Sequence, residues 1–330
     1  MHIVTIGGGH GQAAMLRALA WLGGQVSAIV SIADDGGCSG LLRERWDMPP
    51  PGDLRRCLTT LAQDRFLAAR FEERFEEGDE DVLRSAGNLV LFEAYVELGS
   101  LGAAVSWAAE LLRCTGKVLP VAEEPGRLAV YDRQRGVVEG ETTIERQAAR
   151  PVVVGVHGPE HASEAAKQAV READLILIGP GSFITSTLAA LMTGDLAAEV
   201  AEASGRRVFV RNLVPEPGQM AEAGDEDYLR LLHDHLLIAS GHDAVAVDVL
   251  ADGERHEQQV IGDHRLYLSP LTAGEGRHEP KRVAEALAEH FGAPLRSLPS
   301  VLPPDPDAVE VFDAYLARAR ERVRLGRPRG

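Results

Sequence analysis

The chain has 330 residues, 45% apolar and 25% charged, with a net charge of −16. That suits a globular protein of one large α/β domain or two smaller ones and excludes a general nucleic-acid binder, which needs a basic footprint. Cys38, Cys57 and Cys114 form neither a C-x-x-C pair nor a disulfide framework. With no signal-peptide pattern at the start and no apolar run of about 18 residues, they predict a reducing, cytoplasmic setting without a membrane span.

Residues 2–6 are apolar and β-branched, which predicts a buried parallel strand. It stops at the turn 7–11 (Gly-Gly-Gly-His-Gly), and residues 12–22 then carry apolar positions at helical spacing. A strand, a glycine turn and a helix gather free backbone N–H groups and a positive dipole end, an arrangement that takes anions and above all phosphates. The glycines depart from the strict G-x-G-x-x-G fingerprint, although Ala13 or Ala14 could supply the small contact. A second strand at 25–32 ends in Ala-Asp-Asp-Gly-Gly-Cys-Ser-Gly at 33–40. Asp34 and Asp35 stand about two dozen residues past the first turn, where dinucleotide-binding units place an acid on a ribose hydroxyl.

A helix starts near Ser39 or Gly40 and breaks at the proline run 49–51. Asp53 then either caps the helix 54–62 or faces a ligand, with Arg43, Arg45, Arg55 and Arg56 nearby in sequence as possible phosphate clamps. Residues 64–84 predict an acidic surface helix. Asn88 either caps the apolar helix 89–98 or turns its amide to a ligand, and another helix covers 101–114. Residues 117–121, 128–131 and 137–144 read as short strands with a turn at 133–136, an antiparallel hairpin inserted at 115–157. The alternating β/α pattern resumes with a helix at 162–172 and a strand at 174–178. That strand ends in a third glycine turn, Gly-Pro-Gly-Ser-Phe at 179–183, with Gly181, Ser182 and Thr185 at a helix N-terminus. A strand at 207–211 leads to Asn212, at the rim where open α/β sheets bind ligands. Beyond it, helices at 228–238, 281–291 and 309–325 and strands at 244–250 and 265–268 complete the pattern. The arginine-rich end, 318–329, reads as a solvated helix end.

Taken together, the runs 7–11, 33–40 with Leu42 and Arg43, and 50–57 resemble the signature of the gluconeogenesis-factor (YvcK-like) family. The match continues at 87–89, 119–121, 140–141, 179–182, Asn212 with Leu213, and Pro217 with Gly218. That family is related to the CofD-like 2-phospho-L-lactate transferases. The resemblance implies a Rossmann-like three-layer α/β/α core with a mostly parallel sheet, formed by 1–114 and 158–330, and a small inserted β-hairpin subdomain at 115–157. It implies a cytoplasmic factor that binds a nucleotide or nucleotide sugar, UDP-sugars above all. Its role links gluconeogenic carbon metabolism to cell-wall synthesis and cell shape, and a homodimer is expected.

The transferase branch carries a Pro-Asp-x-Asp-Thr-type stretch where this chain has Pro51-Gly-Asp-Leu, so the sequence is closer to the other branch. Two departures, His10 for the usual threonine and Cys38 for the usual serine, fall within the expected site. The ligand-binding residues expected are Gly8, Gly9, His10, Gly11, Asp34, Asp35, Cys38, Ser39, Asp53, Asn88, Gly181, Ser182 and Asn212. No catalytic residue is assigned; Asp34 and Asp53 are the expected Mg²⁺ ligands. The alternative is an Mg²⁺-dependent phospho-group transferase with a nucleotide diphosphate donor. A nicotinamide oxidoreductase fits only the first two strands.

Overall fold

The strands of the main sheet are short and almost continuously apolar, the composition of strands covered on both faces. In the computed structural model, which describes residues 1–75, 85–147, 151–214, 216, 220, 223–241, 245–261, 264–274 and 276–326, with 37–39 and 261 by backbone alone, they form an eight-stranded sheet. The chain runs β1 (His2–Gly7), α1 (Gly9–Leu19), β2 (Gln25–Val30), α2 (Gly37–Trp46), α3 (Gly52–Leu61), α4 (Arg65–Glu72), α5 (Ala86–Leu98), α6 (Leu101–Leu111) and β3 (Lys117–Pro120). Next come β4 (Arg127–Asp132), β5 (Gly136–Glu139), α7 (Glu141–Gln147), β6 (Pro151–His157), α8 (Glu164–Arg171) and β7 (Leu175–Ile178). A π-helical turn (Phe183–Leu188) runs into α9 (Ala189–Leu191), followed by α10 (Leu196–Glu202), β8 (Arg206–Val210) and α11 (Asp225–Ser240). The chain closes with β9 (Asp248–Asp252), β10 (Glu257–Ile261), β11 (His264–Ser269), α12 (Pro280–Phe291) and α13 (Pro306–Arg324).

The sheet order is β10-β11-β9-β8-β7-β1-β2-β3. All neighbours are parallel except β10, which pairs antiparallel with β11. From β1 the chain winds toward β2, and from β7 it winds the other way toward β8. The boundary between β1 and β7 is therefore the switch point, where the following loops part and leave a crevice at the strands' carboxyl ends. The glycine turns after β1 and β7 are both there.

Two of the expected strands differ. Residues 117–120, expected in the insert, form β3, the outermost parallel strand of the main sheet. The strand expected to run to 144 stops at Glu139, where Gly140 turns with φ 87° and α7 begins. Alternation of apolar and polar residues had masked that helix start. The insert closes with β6, so its sheet has three strands, β5-β4-β6, over a floor of Leu128, Val130, Val138, Ile144 and Val154.

The C-terminal arginines are less solvated than the sequence suggests. Arg322 donates to both oxygens of buried Glu93 at 2.9 and 3.2 Å, and Arg318 pairs with Glu93 and Glu97. With Phe71 against Phe312 (5.0 Å) and Trp107 stacked on Tyr315 (4.4 Å), these pairs fasten α13 across α4, α5 and α6. Among the described residues no single helix is long and apolar enough to cross a membrane. Residues 76–84, the end of the expected acidic helix, lie outside the described residues.

Candidate functional site

The turn after β1 is built by close approach. A Cβ on Gly11 would lie 2.4 Å from the Pro180 carbonyl oxygen and 2.5 Å from the Gly181 Cα, so only glycine lets the two glycine turns touch. Asn212 locks the second turn from the end of β8. Its Oδ1 accepts the Gly181 N–H (3.1 Å) and its amide donates to the Gly181 carbonyl (2.8 Å). Asn212 thus shapes the rim rather than presenting a free amide. From α1, buried Gln12 reaches back to donate to the carbonyls of Thr5 (3.2 Å) and Ile29 (2.9 Å), seating the helix on β1 and β2.

Both cradles hold a carboxylate of the protein itself. Asp53 does not cap α3; its Oδ2 accepts the Gly9 N–H at 2.6 Å and its Oδ1 accepts from Arg56 at 2.7 Å. A Cβ on Gly8 would strike that carboxylate at 2.7 Å. Burial pushes the Asp53 carboxyl up, with Asp34 adding to the rise, against the pull of Arg56 and the Gly9 amide. At the second turn Glu216 takes the Phe183 N–H on both oxygens, at 2.8 and 2.9 Å, and the Ser182 hydroxyl as well. Burial raises Glu216 too. Ser182 also caps the π-helical turn, accepting the Thr185 N–H at 3.4 Å.

His10 stands exposed at the mouth of the first turn. Arg56 in first place, then burial, Arg17 and Arg277 hold its imidazole below the ordinary value, with Asp53 opposing. Three arginines, from α1, α3 and the β11–α12 loop, therefore put a positive field on His10, inside a chain of charge −16. Net charge alone would not reveal it.

The two acids after β2 take different partners. Asp35 accepts the Thr142 N–H (3.0 Å) and hydroxyl (2.8 Å), so it caps α7 and ties the insert to the core. Asp34 accepts the Gly36 N–H at 2.8 Å and shares a hydrogen bond with Glu141. Burial, then the charges of Asp34 and Glu145, push Glu141 up to about 9 while Thr185 donates to it. Asp34, Asp53, Glu141, Ser182 and Thr185 thus line one cleft with the glycine turns.

Asn88 is elsewhere. It is buried inside α5, whose cap is Ser85, and accepts from Arg55 at 3.1 Å. Cys38 and Ser39 sit in the first turn of α2, and their side chains lie outside the described residues, as do Pro217 and Gly218. A cavity of about 900 Å³ between the insert's 132–135 turn and α11 borders none of the expected residues. The expected Mg²⁺ pair does not by itself make a metal site. The oxygens of Asp53 are taken by Gly9 and Arg56, and among the described residues no three His, Cys, Asp or Glu side chains converge on a point.

Arg17, Arg277, Glu141 and Glu216 were not expected at the site. Glu141 carried a usable signal, an acid directly after Gly140 in a run shared with the family signature, as did Glu216 between two prolines. The arginines carried none.

Fold and site define an open, Rossmann-like α/β protein with an anion-holding crevice at its switch point. The family profile of 2-phospho-L-lactate transferase CofD matches residues 3–288. The chain belongs to that CofD-like family, together with the gluconeogenesis factors. The gluconeogenesis factor of Bacillus subtilis (strain 168) is 35% identical over 237 residues, 71% of this chain and 74% of that protein. A relative from Nostoc sp. (strain PCC 7120) is 37% identical over 312 residues, 88% of this chain and 68% of its own. The crystal structure of an upf0052-family protein from Bacillus halodurans superposes with a TM-score of 0.77 at 28% identity, covering 86% of this chain and 97% of that one.

Proposed function

We propose that the crevice binds a nucleotide sugar of the UDP-sugar class, its phosphates taken at the N-terminus of α1. The protein then acts as a cytoplasmic, homodimeric factor linking gluconeogenic carbon metabolism to cell-wall synthesis and cell shape. One observation carries this reading: a carboxylate, Asp53, already sits on the Gly9 N–H beside Arg56, in the field that also depresses His10. A spot that holds one half-buried oxyanion by an amide, a helix dipole and a guanidinium has the donors a phosphate needs. Asp34 supplies an acceptor for ribose or sugar hydroxyls. The name gluconeogenesis factor on relatives supports the metabolic role.

The family profile favours a second reading, a phospho-group transferase with a nucleotide diphosphate donor. In that case Mg²⁺ would come with the substrate's phosphates, since Asp34 and Asp53 by themselves do not complete its coordination. Calorimetric titration of UDP-N-acetylglucosamine, with GDP and NAD as competitors and with or without Mg²⁺, separates the readings. Saturable UDP-sugar binding in EDTA, lost in Gly9→Val, is the expected result. Binding of GDP alone, and only with Mg²⁺, would replace the first reading with the second.

A further inference from the structure

The outer part of the sheet holds a second titratable cluster. Ser269, the last residue of β11, is fully buried (0%). Its Oγ lies 2.8 Å from His256 Nδ1 and 2.8 Å from His290 Nε2. His256 stands exposed in the turn between β9 and β10, and His290 is half-buried in the last turn of α12. Three side chains far apart in sequence thus join the edge hairpin β10–β11 to α12.

Counting donors fixes the direction of this chain. The backbone partner of the His290 ring is the Leu268 carbonyl, an acceptor; with Nε2 turned to Ser269, the hydrogen of the neutral ring is assigned to Nδ1. Nε2 is then a lone pair and accepts the Ser269 hydroxyl proton. Ser269 Oγ in turn accepts the Nδ1–H of His256. Every atom is matched in this one proton arrangement. Adding a proton at His290 Nε2 aims two N–H groups at one oxygen and turns the hydroxyl proton out of the chain in a buried place, which is costly.

The surroundings oppose a charge on His290. The imidazole centroids are 5.5 Å apart. The Arg206 guanidinium stacks over Phe291 (4.6 Å) and Tyr267 (5.1 Å) and donates to the His290 carbonyl (3.4 Å), with Asp248 as its own partner. Beside His256, Arg255 and Glu257 neutralise each other. Burial first, then His256 and Arg206, hold His290 below the ordinary histidine value, against the Leu268 carbonyl and Glu289. Beyond this corner, Arg277 is among the charges that act on His10.

We propose that the His256–Ser269–His290 chain is an acid-released pin that fastens the β10–β11 hairpin to α12. The pin does not depend on the ligand reading.

Amide hydrogen exchange of the full chain at pH 7.5 and pH 5.0, corrected for intrinsic rates, tests it. In the wild type, peptides covering 253–269 are expected to lose protection about tenfold at pH 5.0 relative to α13. The double variant His256→Gln/His290→Gln should show the same protection at both pH values, and Ser269→Ala should be loose at both. Equal pH dependence in wild type and double variant would sink the proposal. If the double variant does not fold, the wild-type His290 Hε1 titration decides. Protonation below pH 6.5 in step with lost protection supports the pin, and protonation at or above 6.5 with protection unchanged overturns it.

Discussion

Asp53 opens α3 and Asp64 follows its end, yet these two carboxylates, one half-buried and one fully buried, are held in opposite ways. Asp64 accepts the Leu67 N–H (2.9 Å), Arg113 (3.0 Å) and the Asp305 N–H (3.1 Å). Burial would raise its carboxyl, but the Leu67 and Asp305 amides with Arg113 outweigh burial and hold it low. At Asp53 burial wins, as it does at Glu141 and Glu216. The scaffold acid has three donors, whereas Asp53 and Glu216 have two each. Their donors (the Gly9 and Phe183 amides, the Ser182 hydroxyl and Arg56) can therefore pass to an incoming anion at little cost.

The signs with pH follow. Stability from the raised groups is present below the ordinary carboxylate range and lost as pH rises through their folded values, for Glu141 up to about 9. Stability from Asp64 is present above its ordinary range and lost as pH falls through its depressed value.

The largest expected effect breaks the scaffold side of the comparison. Asp64→Ala leaves Arg113 and two amides without their acceptor and should cost about 3 kcal/mol in denaturant unfolding. Affinity for a UDP-sugar should survive in the folded fraction, and a loss under 1 kcal/mol would mean that Asp64 is no hub. Next comes Gly11→Val. It drives a Cβ into the Pro180 carbonyl and should cost about 2 kcal/mol while abolishing ligand binding by parting the turns. Unchanged calorimetry there would move the site off the switch point.

A smaller effect tests the strand-end side. Asp53→Asn removes the internal anion, so UDP-sugar binding should tighten about tenfold, roughly 1.4 kcal/mol, and the part of the fall in stability with rising pH that belongs to Asp53 should disappear. Weaker binding that Mg²⁺ no longer improves would instead identify Asp53 as a metal ligand of the transferase reading. The smallest effect belongs to His10. Held low by the arginines, it is neutral at pH 7 and takes up a proton as a phosphate arrives, so affinity should rise as pH falls through its free value. In His10→Gln that rise, about threefold to tenfold from one screened charge, should vanish from an affinity–pH profile.

Much of this was readable along the chain. Alternating apolar strands and glycine turns predict a mostly parallel sheet with ligand-binding loops, because backbone geometry is written in local residue types. Gly8, Gly9, Gly11, Gly181 and Asp34 could be placed at the strand ends for that reason. The cap readings of Asn88 and Asp53 fail, because a capping residue and a residue that reaches another helix share one local pattern. The start of α7 was hidden by an accidental alternation at 137–144. Only the folded chain sets Asp53 on Gly9, Glu216 on Phe183, Glu141 against Asp34 and Arg277 beside His10. These contacts join segments with no sequence pattern in common, and packing of the sheet and helices, not local propensity, sets their distances.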